Sequence, residues 1–218
     1  MTKNHNSNHR KVVMPANTML NPVPVVMVSC AHKDHIDGRP NIITVAWAGT
    51  ICSDPPMLSI SIRKSRLSHK IISASGEFVV NLVSQELLKA CDYCGVRSGR
   101  EYDKFQECQL TSIPADSLLS APAIDEAPVS ISCKVTGVTE LGAHDLFMAR
   151  IESVTVDADL MDEKGRLCLE KADLVAYSHG HYYALGDILG FFGYSVASPK
   201  ALKRRLDEIH KNTNRKSG

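Results

Sequence analysis

Short apolar runs dominate the chain, and within them apolar and polar positions tend to alternate, the signature of half-buried strands rather than of amphipathic helices. The run PVPVVMVSCA, from Pro22 to Ala31, is β-rich after its prolines and ends in the polar HKDHIDGRPN. That predicts a strand, a hairpin loop and a return strand entering at Ile42. The apolar stretch from Ile42 to Trp47 is punctuated by Gly49, and Pro55-Pro56 breaks the chain before the alternating run from Met57 to Ile62. After a short helix, GEFVVNLVS (Gly76 to Ser84) predicts a further strand, and SQELLKACDYCG a helix capped by Ser84 and stopped at Gly95. Leu110 to Pro128 carries three prolines and little periodicity, which predicts a long surface excursion. Then APVSISCKVTGVTEL and LFMARIESVTVDADL, joined by GAHD, predict a hairpin of two long strands with His144 at its tip. A loop from Asp162 to Asp173 precedes one more strand and a Gly-punctuated aromatic stretch.

Six or seven strands with short inserted helices exclude a doubly wound parallel sheet. They predict a mainly β, antiparallel, closed or Greek-key barrel whose ligands sit at the rim, between strand ends and inserted helices. The division expected is a flexible arm over 1–14, one domain over 15–197, and a C-terminal helix with a basic tail over 198–218. A length of 218 residues with 44% hydrophobic content suits one large domain.

A formal net charge of +1 provides no global field for nucleic acid or an anionic membrane. Lys200, Lys203, Arg204, Arg205, Lys211, Arg215 and Lys216 form a local exception, read as a solvated helix and tail. No apolar stretch approaches the roughly 20 residues that span a bilayer. The start MTKNHNSNHRK lacks the apolar core of a secretory signal, so the cytoplasm is expected. Seven irregularly spaced cysteines fit that compartment better than a disulfide framework.

The chemistry concentrates after Ile62, where a strand empties into Arg63, Lys64, Ser65, Arg66 and Ser68 at a helix start. Backbone amides, the positive end of the helix dipole, hydroxyls and guanidinium forks together suit an anion, and a phosphate monoester is the natural small one. Serine as an ordinary N-cap is the competing explanation. The histidines and cysteines are weaker candidates. Cys30, His32 and His35 lack a fourth ligand, His5 and His9 lack a partner cluster, and His179 and His181 suit packing or rim positions. Cys91 and Cys94 form a CxxC at a helix end, with no second pair for zinc, so no metal is expected.

The ordered series NIITVAWAG, SDPPMLSISIRKSRLSHKII, GEFVVNL, SGREYDKF, GAHDLFMARIESVTVD and HYYALGDILGFFG resembles the flavin reductase-like, FMN-binding split-barrel family, flavoredoxin-type members most closely. The resemblance covers about residues 20 to 197, and its specificity lies in the order of motifs that are individually weak. It implies a homodimer of split barrels with FMN near the subunit interface. Thr44, Val45, Ala46, Trp47, Ala48, Gly49 and Thr50 would line the isoalloxazine ring, largely through backbone groups. Arg63, Ser65, Arg66 and Ser68 would hold the phosphate, with Ser61 and Asn81 nearby.

The segment Gly142 to His144 resembles the family's Gly-Asp-His motif beside the nicotinamide. It departs from that motif in having Ala143 at the acidic position, with Asp145 after the histidine. His144 is therefore the candidate catalytic residue, to orient a nicotinamide or donate a proton to reduced flavin. Trp47 either flanks the ring or packs in the core. The activity implied is an FMN-dependent oxidoreductase using NADH or NADPH and a small-molecule or protein redox partner. The alternative is an electron carrier with tightly held FMN and no nicotinamide site, and the third reading is a non-redox metal-binding or interaction protein.

Overall fold

The computed structural model of the chain describes residues 10–205. The sequence expectations at His5, His9, Lys211, Arg215 and Lys216 lie outside the described residues. In chain order the strands are β1 (Val23–Pro24), β2 (Val26–Cys30), β3 (Asn41–Val45), β4 (Ala48–Ser53), β5 (Pro56–Arg63) and β6 (Glu77–Leu82). They continue as β7 (Ser112–Pro114), β8 (Pro122–Ile124), β9 (Val129–Glu140), β10 (His144–Val156), β11 (Val175–Ser178) and β12 (His181–Ala184). The helices are α1 (Leu67–Ser75), α2 (Leu88–Val96) and α3 (Lys104–Glu107).

Seven strands form one antiparallel sheet in the order β3-β2-β6-β9-β10-β5-β4. β3 and β4 are its two edges, yet only Ala46 and Trp47 separate them in the chain. The sheet must therefore curl until its edges meet at that link, where the Ser61 N–H donates to the Trp47 carbonyl at 2.9 Å. No ladder pairs β3 with β4, so the curl stays split rather than closed. This is the mainly β, antiparallel class that the pattern predicts, in the split-barrel form that the family resemblance implies and not as a closed barrel.

β2 is buried at every position because both its faces are covered. Val26, Val28 and Cys30 join Ile60, Phe78, Phe147 and the α1 residues Ile71 and Ile72 in one cluster, whereas Val25 and Met27 join Ile42, Cys91, Phe105 and Ile124 in a second beneath α2 and α3. Strand alternation sorts neighbours into different cores, which is why this strand reads as a continuous apolar run. α1 stops at Gly76, left-handed at φ 69°, whose N–H donates to the Ile72 carbonyl at 2.8 Å.

Four expectations require correction, the first being the Ser84 cap, since α2 starts at Leu88 with Leu87 at the N-cap and no side-chain cap. Gly95 lies inside α2 instead of ending it, because a Cβ there would come within 3.2 Å of the Thr44 Cβ and the glycine allows the helix to approach β3. The excursion from Leu110 to Pro128 contains a short hairpin of β7 and β8, with β8 buried through its apolar residues. The single late strand is a hairpin of β11 and β12, since His179 and Gly180 both adopt positive φ (47° and 86°), the condition for a tight type I′ connection. β1 pairs with β11 to complete a three-stranded sheet.

Contacts divide the chain into two units, Met1–Tyr183 and Ala184–Gly218. Within the described part of the second, a 3-10 turn spans Tyr194–Val196 and a helix runs over 199–205. There Phe191 meets the Tyr194 ring at 6.4 Å and the Arg205 guanidinium at 5.9 Å, while Leu189, Phe192 and Val196 are exposed.

Candidate functional site

β5 delivers Arg63 to a turn closed by the Arg66 N–H donating to the Arg63 carbonyl at 3.0 Å, and α1 begins at Leu67. Arg66 occupies the N-cap position in an extended conformation, and no side chain caps the helix. The donors of the first turn are thus left facing a cavity of about 430 Å³. Arg63, Arg66, Arg97, Arg100 and Lys104 line it, with Ser65 and Ser68. Among the described residues none of these five cations pairs with a carboxylate. Such an accumulation of uncompensated charge is electrostatically unfavourable without an anion.

Lys104 forms the buried floor. Its Nζ donates to the carbonyls of Ile42 and Cys94, each at 2.7 Å, which leaves one of its three protons for a ligand. Burial pulls its pKa down from 10.5, with Arg66 acting in the same direction. Ser68, also buried, accepts from Asn41 Nδ2 at 2.8 Å. Arg100 at the exposed mouth donates to the Ser65 carbonyl at 3.3 Å, and Arg97 lies over the Tyr102 ring at 5.2 Å. Gly99 is required between them, since a Cβ there would sit 2.0 Å from Asn41 Oδ1.

A larger cavity of about 630 Å³ shares Ile43, Arg63 and Arg66 with the first. Thr44, Val45, Ala46 and Trp47 border it together with Ser61 and His144, and Tyr177, His179 and Tyr182 close another side. Trp47 is 45% exposed and lines this space instead of packing in the core. Its ring lies 4.6 Å from that of His144, inclined at 49°. His144, opposite Arg63 in the β10–β5 register, has its pKa pulled below 6.5 by burial and by the Arg63 charge, so its imidazole is neutral at pH 7.

Of the sequence candidates, Thr44, Val45, Ala46, Trp47, Ser61, Arg63, Arg66 and His144 border the larger cavity, and Ser65 and Ser68 border the basic one with Arg63 and Arg66. Ala48, Gly49 and Thr50 continue into edge strand β4 and line neither. Asn81 is fully buried and also lines neither. Its Nδ2 donates to the Met27 carbonyl (3.0 Å) and Ser29 Oγ (2.9 Å), and its Oδ1 accepts from the Ile124 N–H (3.1 Å) and Ser130 Oγ (2.9 Å). The hydrogen-bonding capacity of Asn81 is spent in the interior.

Lys104, Arg97 and Arg100 were not among the candidates. The motif SGREYDKF and its preceding arginine contain them, but only the fold brings them against the β5–α1 turn. Burial pushes the Cys91 thiol up to about 11 and raises that of Cys94 further, which disfavours thiolate chemistry at the CxxC. Among the described residues no group of three or more His, Cys, Asp or Glu is placed to hold a metal ion.

Residues 18–186 match the flavin reductase like domain family. The flavoredoxin of Desulfovibrio vulgaris (Miyazaki F) is a structural neighbour at a TM-score of 0.79 and 31% identity, covering 86% of this chain and 100% of that one. An uncharacterized protein of Archaeoglobus fulgidus is 33% identical over 117 residues, 54% of this chain and 66% of that protein. An FMN reductase (NADH) of Stutzerimonas stutzeri is 24% identical over 110 residues, 49% of this chain and 60% of that protein. The chain thus spans less than two thirds of the length of these two curated relatives. The family match covers most of the described chain, including both cavities, and the chain belongs to the flavin reductase-like family.

Proposed function

We propose that the chain is an FMN-binding oxidoreductase that takes hydride from NADH or NADPH, with the phosphate in the basic cavity and the isoalloxazine ring in the larger one. The observation that carries this reading is the junction of the two cavities at Ile43, Arg63 and Arg66. Uncompensated cations at one end and an aromatic-bordered space at the other fit a planar ring that ends in a phosphate monoester. The bound flavin supplies the hydride- and electron-accepting chemistry.

The chain's own residues bind and orient. Arg63, Arg66 and Lys104 hold the phosphate, with Ser65 and Ser68 beside them. Because β3 is an edge strand, alternate peptide groups toward Thr44 and Val45 have no partner strand and are available to ring heteroatoms. Trp47 flanks the ring, and His144, neutral at pH 7, orients a nicotinamide as a hydrogen-bonding group. A role as a stored proton fits that neutral state less well.

A second reading is an electron carrier that retains FMN and has no nicotinamide site. It is supported by the likeness to a flavoredoxin and by Ala143, which leaves the hairpin tip without the acidic residue of the family motif. Either reading includes a cytoplasmic homodimer, for which the exposed Leu189, Phe192 and Val196 are suitable contact groups. No helix among the described residues is long and apolar enough to cross a membrane.

The test is FMN titration followed by visible absorbance and by fluorescence of Trp47, the only tryptophan. Saturable quenching is expected, and a colourless protein with no response to FMN rejects both readings. Anaerobic addition of NADH or NADPH then separates them, because bleaching of the flavin band selects the reductase and an unchanged band selects the carrier. Stoichiometric zinc in a protein without flavin would instead support the non-redox reading.

A further inference from the structure

The first turn of α1 is held from behind by a charge cluster that flavin binding does not explain. Side chains alternate along β10, so His144 faces the larger cavity while Asp145, like Phe147 two residues on, turns inward. There Nε2 of His69, the third residue of α1, donates to Asp145 Oδ2 at 2.7 Å, with the two side chains 16% and 8% exposed. The His69 ring also stands edge-on to Phe147 at 5.2 Å. Lys64 Nζ lies 3.4 Å from Asp145 Oδ1 and 2.7 Å from Glu140 Oε2. Among the described residues Asp145 Oδ1 has no hydrogen-bond partner of its own.

The cluster therefore joins the three pieces from which the site is assembled. Lys64 belongs to the turn that carries Arg63, Ser65 and Arg66, His69 to the helix start facing the basic cavity, and Asp145 and Glu140 to the hairpin that carries His144. Asp145 sits one residue along β10 from His144, the partner of Arg63 in the strand register. Strand alternation turns Asp145 to the face opposite Arg63, and among the described residues Arg63 pairs with no carboxylate and faces the cavity.

We propose that the His69–Asp145 pair is a positioning device for the phosphate of the flavin: by tying α1 to β10 it aims the first turn of the helix at the basic cavity. This rests on the FMN reading. A positioning role of this kind acts on the phosphate and not on the ring, which distinguishes it from general support of the fold.

FMN and riboflavin, which has the ring without the phosphate, are the probes, titrated against wild type, His69→Leu, His69→Asn and His69→Gln. Leucine removes the hydrogen bond, asparagine is too short to reach the carboxylate, and the glutamine amide can still donate to it. His69→Leu and His69→Asn are expected to weaken FMN about tenfold, the scale of coupling within a charged network, and to leave riboflavin within about twofold. His69→Gln is expected to recover FMN binding to within about threefold of wild type. Should His69→Leu fail to fold, His69→Asn decides the matter. An FMN-to-riboflavin affinity ratio within about twofold of wild type in His69→Asn overturns the inference, whatever happens to thermal stability. Wild-type protein that does not bind FMN would remove the underlying reading, whereas bound FMN with an unchanged ratio removes only this inference.

Discussion

The two cavities are adjacent but built from different material. The basic one is made of side chains: five cations and two serines converge on one helix start, and the buried ones are fixed by hydrogen bonds to carbonyls or to Asn41. The larger one draws on residues from Thr18 to Tyr182, and its β3 wall offers peptide groups as much as side chains. The difference teaches where substitution should matter. A site made of charged side chains is vulnerable to single changes, whereas a peptide wall is insensitive to side-chain identity so long as the strand keeps its path.

The strongest challenge to that contrast is Lys104→Met. The change leaves the Ile42 and Cys94 carbonyls unpaired in the interior, at a cost of about 3 kcal/mol. That corresponds to a fall in melting temperature of roughly 6–12 °C for a chain of this size, readable by calorimetry. FMN affinity should fall with it, and an unchanged melting temperature would contradict the floor role. Next is Arg66→Ala, at an exposed position, where a lost charge-assisted bond of about 1.5–3 kcal/mol weakens FMN roughly tenfold to a hundredfold with little change in melting. His144→Ala should weaken FMN by less than about fivefold, because no phosphate contact is lost. Equal dissociation constants for these two variants would erase the distinction between the cavities.

Asp145→Asn sharpens the picture through pH. Burial alone would raise the Asp145 pKa, but the hydrogen bond from His69 and the Lys64 charge outweigh it and hold the carboxyl below its usual 3.8. A depressed carboxyl contributes stability that is present above the unfolded value and is lost as the pH falls through the folded one. Denaturant melts should therefore show the gap between wild type and Asp145→Asn closing as the pH drops below 3.8. The smallest effect belongs to Gly49→Ala. An added Cβ there meets nothing within 4 Å, and the position borders neither cavity, so stability and FMN affinity should stay within about 0.5 kcal/mol.

Much of the fold is legible because strand alternation is a local property. The long hairpin of β9 and β10, the break at Pro55-Pro56 and the junction of β5 with α1 all follow from neighbouring residues. Gly95 was misleading for the opposite reason: glycine marks both helix ends and close approaches, and only the position of Thr44 on another element distinguishes them. Asn81 shows the same limit. A buried asparagine and a ligand-binding one look alike in sequence, and four of its five partners come from other strands, β2, β8 and β9.

By itself the sequence determined the β class, most of the order of elements and the concentration of basic and hydroxyl side chains over Arg63 to Ser68, because these depend on periodicity and on chemistry within a few residues. The tertiary structure alone decided that Lys104, Arg97 and Arg100 line the same cavity as Arg63 to Ser68, that Asn81 lines neither cavity, and that His69 is the group that meets Asp145. Those outcomes depend on the curl that brings β3 and β5 together at Trp47 and seats α2 and α3 beside them, a long-range geometry that no local pattern encodes.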